Sequence, residues 1–183
     1  MRNGRVVAIG VLASLLALSL ALASGRRSAA QVPGTGGYSP SFQITGAVAR
    51  PMTIDQAALI ARPNTNVLQQ CFYTDTLQPE THVYRGVSLW TLLEEADLTP
   101  PPGASPASLR GYIVVTGSDG YEIVIGLAGL DPEFEGRPII VAYTVDGESL
   151  PQDRGMARLI VSSDRTCMRS VWWLASIEVR YVE

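Results

Sequence analysis

Two cysteines, Cys71 and Cys167, and one histidine, His82, are the scarce reactive side chains of this 183-residue chain. In an oxidising compartment an even cysteine count usually pairs. The two sulfurs lie 96 positions apart, and closing that loop would stabilise the fold by about 4 to 5 kcal/mol through the restricted unfolded chain. Two free thiols are the alternative. A zinc site is not supported, because one histidine and two cysteines show no metal-ligand spacing. A serine hydrolase is excluded by the absence of Gly-x-Ser-x-Gly and of a nucleophile partner for His82. Arg165 and Arg169 flank Cys167 in Asp164-Arg165-Thr166-Cys167-Met168-Arg169, with Arg158 nearby. A guanidinium fork binds sulfur, nitrogen or phosphate oxyanions bidentately; the plainer reading pairs these arginines with local carboxylates such as Asp164.

The compartment follows from the N-terminus. Arg2 and Arg5 precede an uncharged apolar stretch from Val6 to Ala23, the layout of an export signal. Small residues permit cleavage after Ala23 or Ala30, while an 18-residue apolar run retained as a membrane anchor is the other outcome. The expected organisation is thus 1–30 signal peptide or anchor, 31–41 flexible linker rich in Gly, Pro and Ser, and 42–183 a single domain, periplasmic or extracellular. From Gln31 onward ten arginines face seventeen acids, a net charge of −7, and lysine is absent throughout. A nucleic-acid partner is excluded, since phosphate contacts need a clustered positive face.

The elements that must position these residues follow from pattern. Phe42, Ile44 and Val48 suggest a first strand; Thr53 and Gln56 fit a capping box opening a short helix through Ala61. Val67 to Tyr73, with Cys71 in it, and His82 to Tyr84 form the arms of a hairpin around a polar loop from Asp75 to Thr81. Ser88 caps a second helix whose Leu89, Leu92, Leu93 and Ala96 make one apolar stripe. Asp119-Gly120 and Asp146-Gly147 supply the positive-φ positions of two tight hairpins, and Asp131-Pro132-Glu133 reads as a turn. Alternation from Val171 to Tyr181 gives the last strand, with Trp173 inward and Trp172 on the other face. The sum is an α+β domain, two short helices against mixed or antiparallel sheets.

Tyr84 to Leu93 (YRGVSLWTLL), Gly117 to Tyr121 (GSDGY), Leu127 to Phe134 (LAGLDPEF), Pro138 to Leu150 (PIIVAYTVDGESL), Gly155 to Val161 (GMARLIV) and Trp172 to Val179 follow in that order. Over about residues 42 to 182 this set resembles the molybdopterin-binding domain of sulfite-oxidase-type oxidoreductases, in its short, stand-alone exported form. The resemblance implies a molybdenum cofactor, with Cys71 as the catalytic, metal-ligating thiolate and Arg158, Arg165, Arg169 and His82 as cofactor-binding residues. It also implies oxygen-atom or electron transfer at a sulfur or nitrogen centre, with a small-molecule substrate and a separate redox carrier, because the chain has no heme or iron–sulfur motif of its own. The same residues allow a metal-free module that keeps the fold, its cysteines stapled and its cleft taking a small ligand or a protein; a purely structural envelope domain, a third reading, predicts no pocket. Disulfide and metal ligation exclude each other at Cys71.

Overall fold

The computed structural model describes residues 37–72, 78–103 and 105–182. The expected export signal, most of the linker, and Tyr73 and Asp75 of the hairpin lie outside the described residues. Ten strands and two α-helices follow one another as β1 (Ser41–Gly46), β2 (Met52–Asp55), α1 (Gln56–Ile60), β3 (Thr65–Phe72), β4 (Pro79–Ser88), α2 (Leu89–Ala96), β5 (Gly111–Gly117), β6 (Glu122–Gly126), β7 (Ile139–Val145), β8 (Glu148–Ser149), β9 (Arg158–Val161) and β10 (Leu174–Tyr181). They form two five-stranded sheets. The first runs β2-β1-β10-β5-β6; the second runs β3-β4-β7-β8, with β9 also paired to β7. Among these strands only β1 and β10 pair in parallel, so the first sheet is mixed and the second antiparallel, in keeping with the α+β expectation. Among the described residues no helix is long and apolar enough to cross a membrane.

The main core joins both sheets to α2. Phe42, Ile44, Ile113, Val115 and Ile177 from the first sheet meet Val87, Val141, Leu159 and Val161 from the second, and the stripe Leu89, Leu92, Leu93 and Ala96 closes it. A second, smaller core of Val67, Tyr84, Ile140, Ala142, Leu150 and Ile160 lies on the opposite face of the second sheet, covered by Trp172. Two cores explain why β9 and the first five residues of β7 are buried without alternation, since a strand covered on both faces has no solvent side. Gly86 sits where β4 shifts register against β7, and a Cβ there would stand 2.2 Å from the Val141 carbonyl oxygen. Only glycine admits that approach.

Local details correct the sequence reading at three points. Asp55, not Thr53, caps α1, accepting from the Ala58 amide at 2.8 Å, because Thr53 is committed to β2 opposite Gln43. Ser88 stands at the N-cap of α2 but makes no side-chain capping bond. The last strand begins at Leu174 instead of Val171: Trp173 takes φ 48°, and the β5–β10 ladder shifts between Leu174 and Ser176. Both expected tight turns are present, with Gly120 at φ 82°, Asp146 at 51° and Gly147 at 88°, and Asp131 accepts from the Glu133 amide in its own turn.

Candidate functional site

Strand alternation collects the chemistry on the smaller core. In β3 the inward residues are Val67, Gln69 and Cys71; across the ladder Val67 faces Tyr84 and Gln69 faces His82. From β9 the same face receives Arg158, 2% exposed, whose neighbour across the β7 ladder is Ala142. The Arg158 Nη1 donates to the Tyr84 hydroxyl at 2.5 Å, and its guanidinium carbon lies 3.5 Å from the Trp172 ring centroid and 5.3 Å from that of Tyr84. Arg154 approaches the same indole at 4.9 Å. A desolvated cation on an aromatic face gains about 2 kcal/mol, so burial of this charge is partly offset by the rings that enclose it.

Beside this cluster the Gln69 amide donates to Ser170 Oγ at 2.7 Å and to the Val161 carbonyl at 3.3 Å, while Ser170 Oγ accepts from the Val161 amide at 3.2 Å. The loop carrying Ser170 is joined covalently to the end of β3. Cys71 and Cys167, both buried, form a disulfide with Cα atoms 5.2 Å apart, and the Phe72 amide next to it donates to the Arg165 carbonyl at 3.0 Å. Of the fates open to Cys71, the disulfide is the one realised. The Cys71 sulfur, expected from the family resemblance as a metal ligand and catalytic thiolate, is bonded to Cys167 and offers no thiolate in this oxidised form.

The remaining candidates do not converge on one cleft. His82 shares the Tyr84 face, its ring 6.0 Å from the phenol, but its Nδ1 bonds Asp146 Oδ2 at 2.6 Å at the sheet margin. Asp146 is held below the usual carboxylate range, first by the Val83 amide at 2.9 Å and then by His82. The Arg165 side chain is exposed and only its backbone reaches the disulfide. Arg169 forms a two-pronged pair with Asp164, with Nε to Oδ2 at 2.7 Å, which raises its pKa above the ordinary arginine value. Its cavity is a different one, shared with Gly129, Glu135 and Arg137. The local-carboxylate reading therefore describes Arg169.

Sequence reasoning set Trp172 on the face away from the main core, where it lies, but missed Gln69, Ser170 and Tyr84. The signal for Gln69 was available, as a polar residue in register between Val67 and Cys71 on a buried face needs a partner.

A family model described as the oxidoreductase molybdopterin binding domain matches residues 31–183. The chain belongs to that family. The crystal structure of the sulfane dehydrogenase SoxCD from Paracoccus pantotrophus superposes with a TM-score of 0.62 at 20% sequence identity, over 78% of this chain and 39% of that one. At that identity the likeness shows the fold alone, and this chain spans about two fifths of the length of that solved chain. No curated protein matches the sequence.

The family implies a molybdenum cofactor, and the residues present in this oxidised form do not fit one. The sulfur donor is consumed by Cys167. The cavity beside the disulfide, lined by Asp119, Tyr121, Met168, Ser170 and Trp172, measures about 180 Å³, below the roughly 300 Å³ at which small-molecule sites begin.

Proposed function

We propose that this protein is an exported binding module of the oxidoreductase molybdopterin-binding domain family, which keeps the fold and carries a structural disulfide where a metal-ligating thiolate would act. The observation that carries this reading is the Cys71–Cys167 bond. An oxidising compartment past an export signal over residues 1–30 is where such a bond persists, and the Arg158 sandwich fills part of the same sheet face with protein groups. A cavity of about 510 Å³ between α2, β3 and β7 suits a small polar ligand in size, and Asn66, Ser88, Trp90, Thr91, Glu94 and Arg137 line it with an indole, hydroxyls, an amide and both charges.

The second reading, a molybdopterin-dependent oxidoreductase working with a separate redox carrier, is favoured by family membership and by the placement of Cys71, His82 and Arg158 on one face. Replacing Cys167 by Ser distinguishes the two. Protein purified from cells that make the molybdenum cofactor is expected to hold no molybdenum, whether native or Cys167→Ser. About one metal per chain in the variant, lost again with Cys71→Ala, would establish the oxidoreductase reading.

A further inference from the structure

The second sheet ends at β3, which pairs with β4 along Thr65–Phe72 and, on its outer side, is bridged only at its last residue, Phe72 to Thr166, among the described residues. Backbone direction along that strand follows from two anchors. The Phe72 amide donates away from β4, to Arg165, and Val83, which faces Leu68, turns both its amide and its carbonyl toward Asp146 on the β7 side. By antiparallel alternation the amides and carbonyls of Asn66, Leu68 and Gln70 point outward from the sheet. Among the described residues none of these groups has a backbone partner.

The side chains on this edge are unusual for an open strand. Edges are ordinarily blunted by charge or proline, yet TNVLQQCF contains neither. The edge strands of the first sheet do carry charge, Asp55 in β2 and Glu122 in β6. On the solvent face of the hairpin, Leu68 is 61% exposed, Val83 opposite it 45% and Phe72 40%. That face, Asn66, Leu68, Gln70 and Phe72 beside Pro79, Thr81, Val83 and Arg85, contains no acid, although the chain from Gln31 onward is strongly acidic.

We propose that β3 is a self-association edge, pairing antiparallel with β3 of a second copy about a two-fold axis at Leu68. In this register Leu68 meets Leu68, exchanging both backbone bonds, and Asn66 meets Gln70 on each side. All three outward positions are satisfied by the same segment, as an isologous interface requires. Val83 flanks each leucine, making an apolar stripe of Val83, Leu68, Leu68 and Val83 across the axis. Charge selects the same surface: two acidic domains repel least where the contact face has Arg85 and no carboxylate. Beyond Gln70 the Arg165 carbonyl already occupies the Phe72 amide, so the ladder stops at five residues per copy. An interface of that length sits at the low end of specific contacts, under roughly 1,200 Å², and gives a concentration-dependent dimer.

Sedimentation equilibrium of the full chain across a wide concentration range tests this, together with Leu68→Arg and Gln70→Pro. Neither variant touches the β3–β4 ladder, because both positions face outward, and each is expected to weaken dimerisation about tenfold or more. Val124→Arg, on exposed β6, is expected to leave it unchanged. In Leu68→Cys the two new sulfurs face each other across a pair with Cα atoms about 5.5 Å apart, within disulfide reach, so oxidation should yield a reducible covalent dimer. A monomer at every concentration, or a dimer unaffected by Leu68→Arg and Gln70→Pro, overturns the proposal; so does capture of a foreign strand on β3 without self-pairing.

Discussion

Reducing the Cys71–Cys167 bond tests whether the staple holds the two ends of the site together. The bond joins β3 to the loop before β10 across 96 residues, and the chain-entropy relation gives about 4.7 kcal/mol for a loop of that length near 25 °C. Domains of this size have roughly 5 to 15 kcal/mol in total, so reduction removes a third or more of the stability. At roughly 2 to 4 °C per kcal/mol, the melting temperature should fall by about 10 to 20 °C. With a urea slope near 2 kcal/mol/M, the midpoint should fall by about 2 M. Both sulfurs are almost fully buried, so reduction must be completed in denaturant before refolding, and a Cys71→Ala/Cys167→Ala variant supplies the same comparison without reductant. Urea unfolding followed by circular dichroism, oxidised against reduced, reads the difference. A loss below about 1 kcal/mol would refute the reasoning, because it would mean that the bond does not constrain the unfolded chain that the loop length says it must.

The other expectations concern charge. Arg158→Met keeps an unbranched side chain in the smaller core but loses the Trp172 stack and the Tyr84 hydrogen bond; relief of the buried charge opposes that loss, so urea unfolding should change by no more than about 1 kcal/mol, with quenching of tryptophan emission altered as the cation leaves Trp172. Asp146 has its folded pKa below the ordinary 3.8, so its contribution is present above that unfolded value and is lost as pH falls through the lower folded one. Asp146→Asn should therefore flatten the decline of the urea midpoint below about pH 4.

What the sequence made legible was local. The Leu89, Leu92, Leu93 and Ala96 stripe needed only helical period, and the turns at Gly117–Gly120 and Asp146–Gly147 needed only the positive-φ chemistry of Gly and Asp. The cap of α1 was misplaced because the pairing of Thr53 with Gln43 is a long-range fact that overrides a capping-box pattern. Arg158 reads as a surface or anion-binding arginine in sequence, since nothing local announces that β9 is covered on both faces and that Trp172 returns from fourteen positions later to stack on it. The adjacent tryptophans were read as one strand with alternating faces, whereas the turn at Trp173 separates their directions before the strand begins. The fate of Cys71 was open for the same reason: the proximity of β3 to the Cys167 loop is set by the second sheet, not by neighbours in the chain.

On the proposed reading Cys71 serves structure instead of a metal. The most direct test is to purify the protein from cells that make the molybdenum cofactor, alkylate it under non-reducing denaturing conditions, and measure thiol labelling and molybdenum per chain on the same sample. A structural disulfide leaves no cysteine labelled and a metal ratio near zero. A ratio near one with Cys71 open to alkylation would contradict it and return Cys71 to the role of ligand.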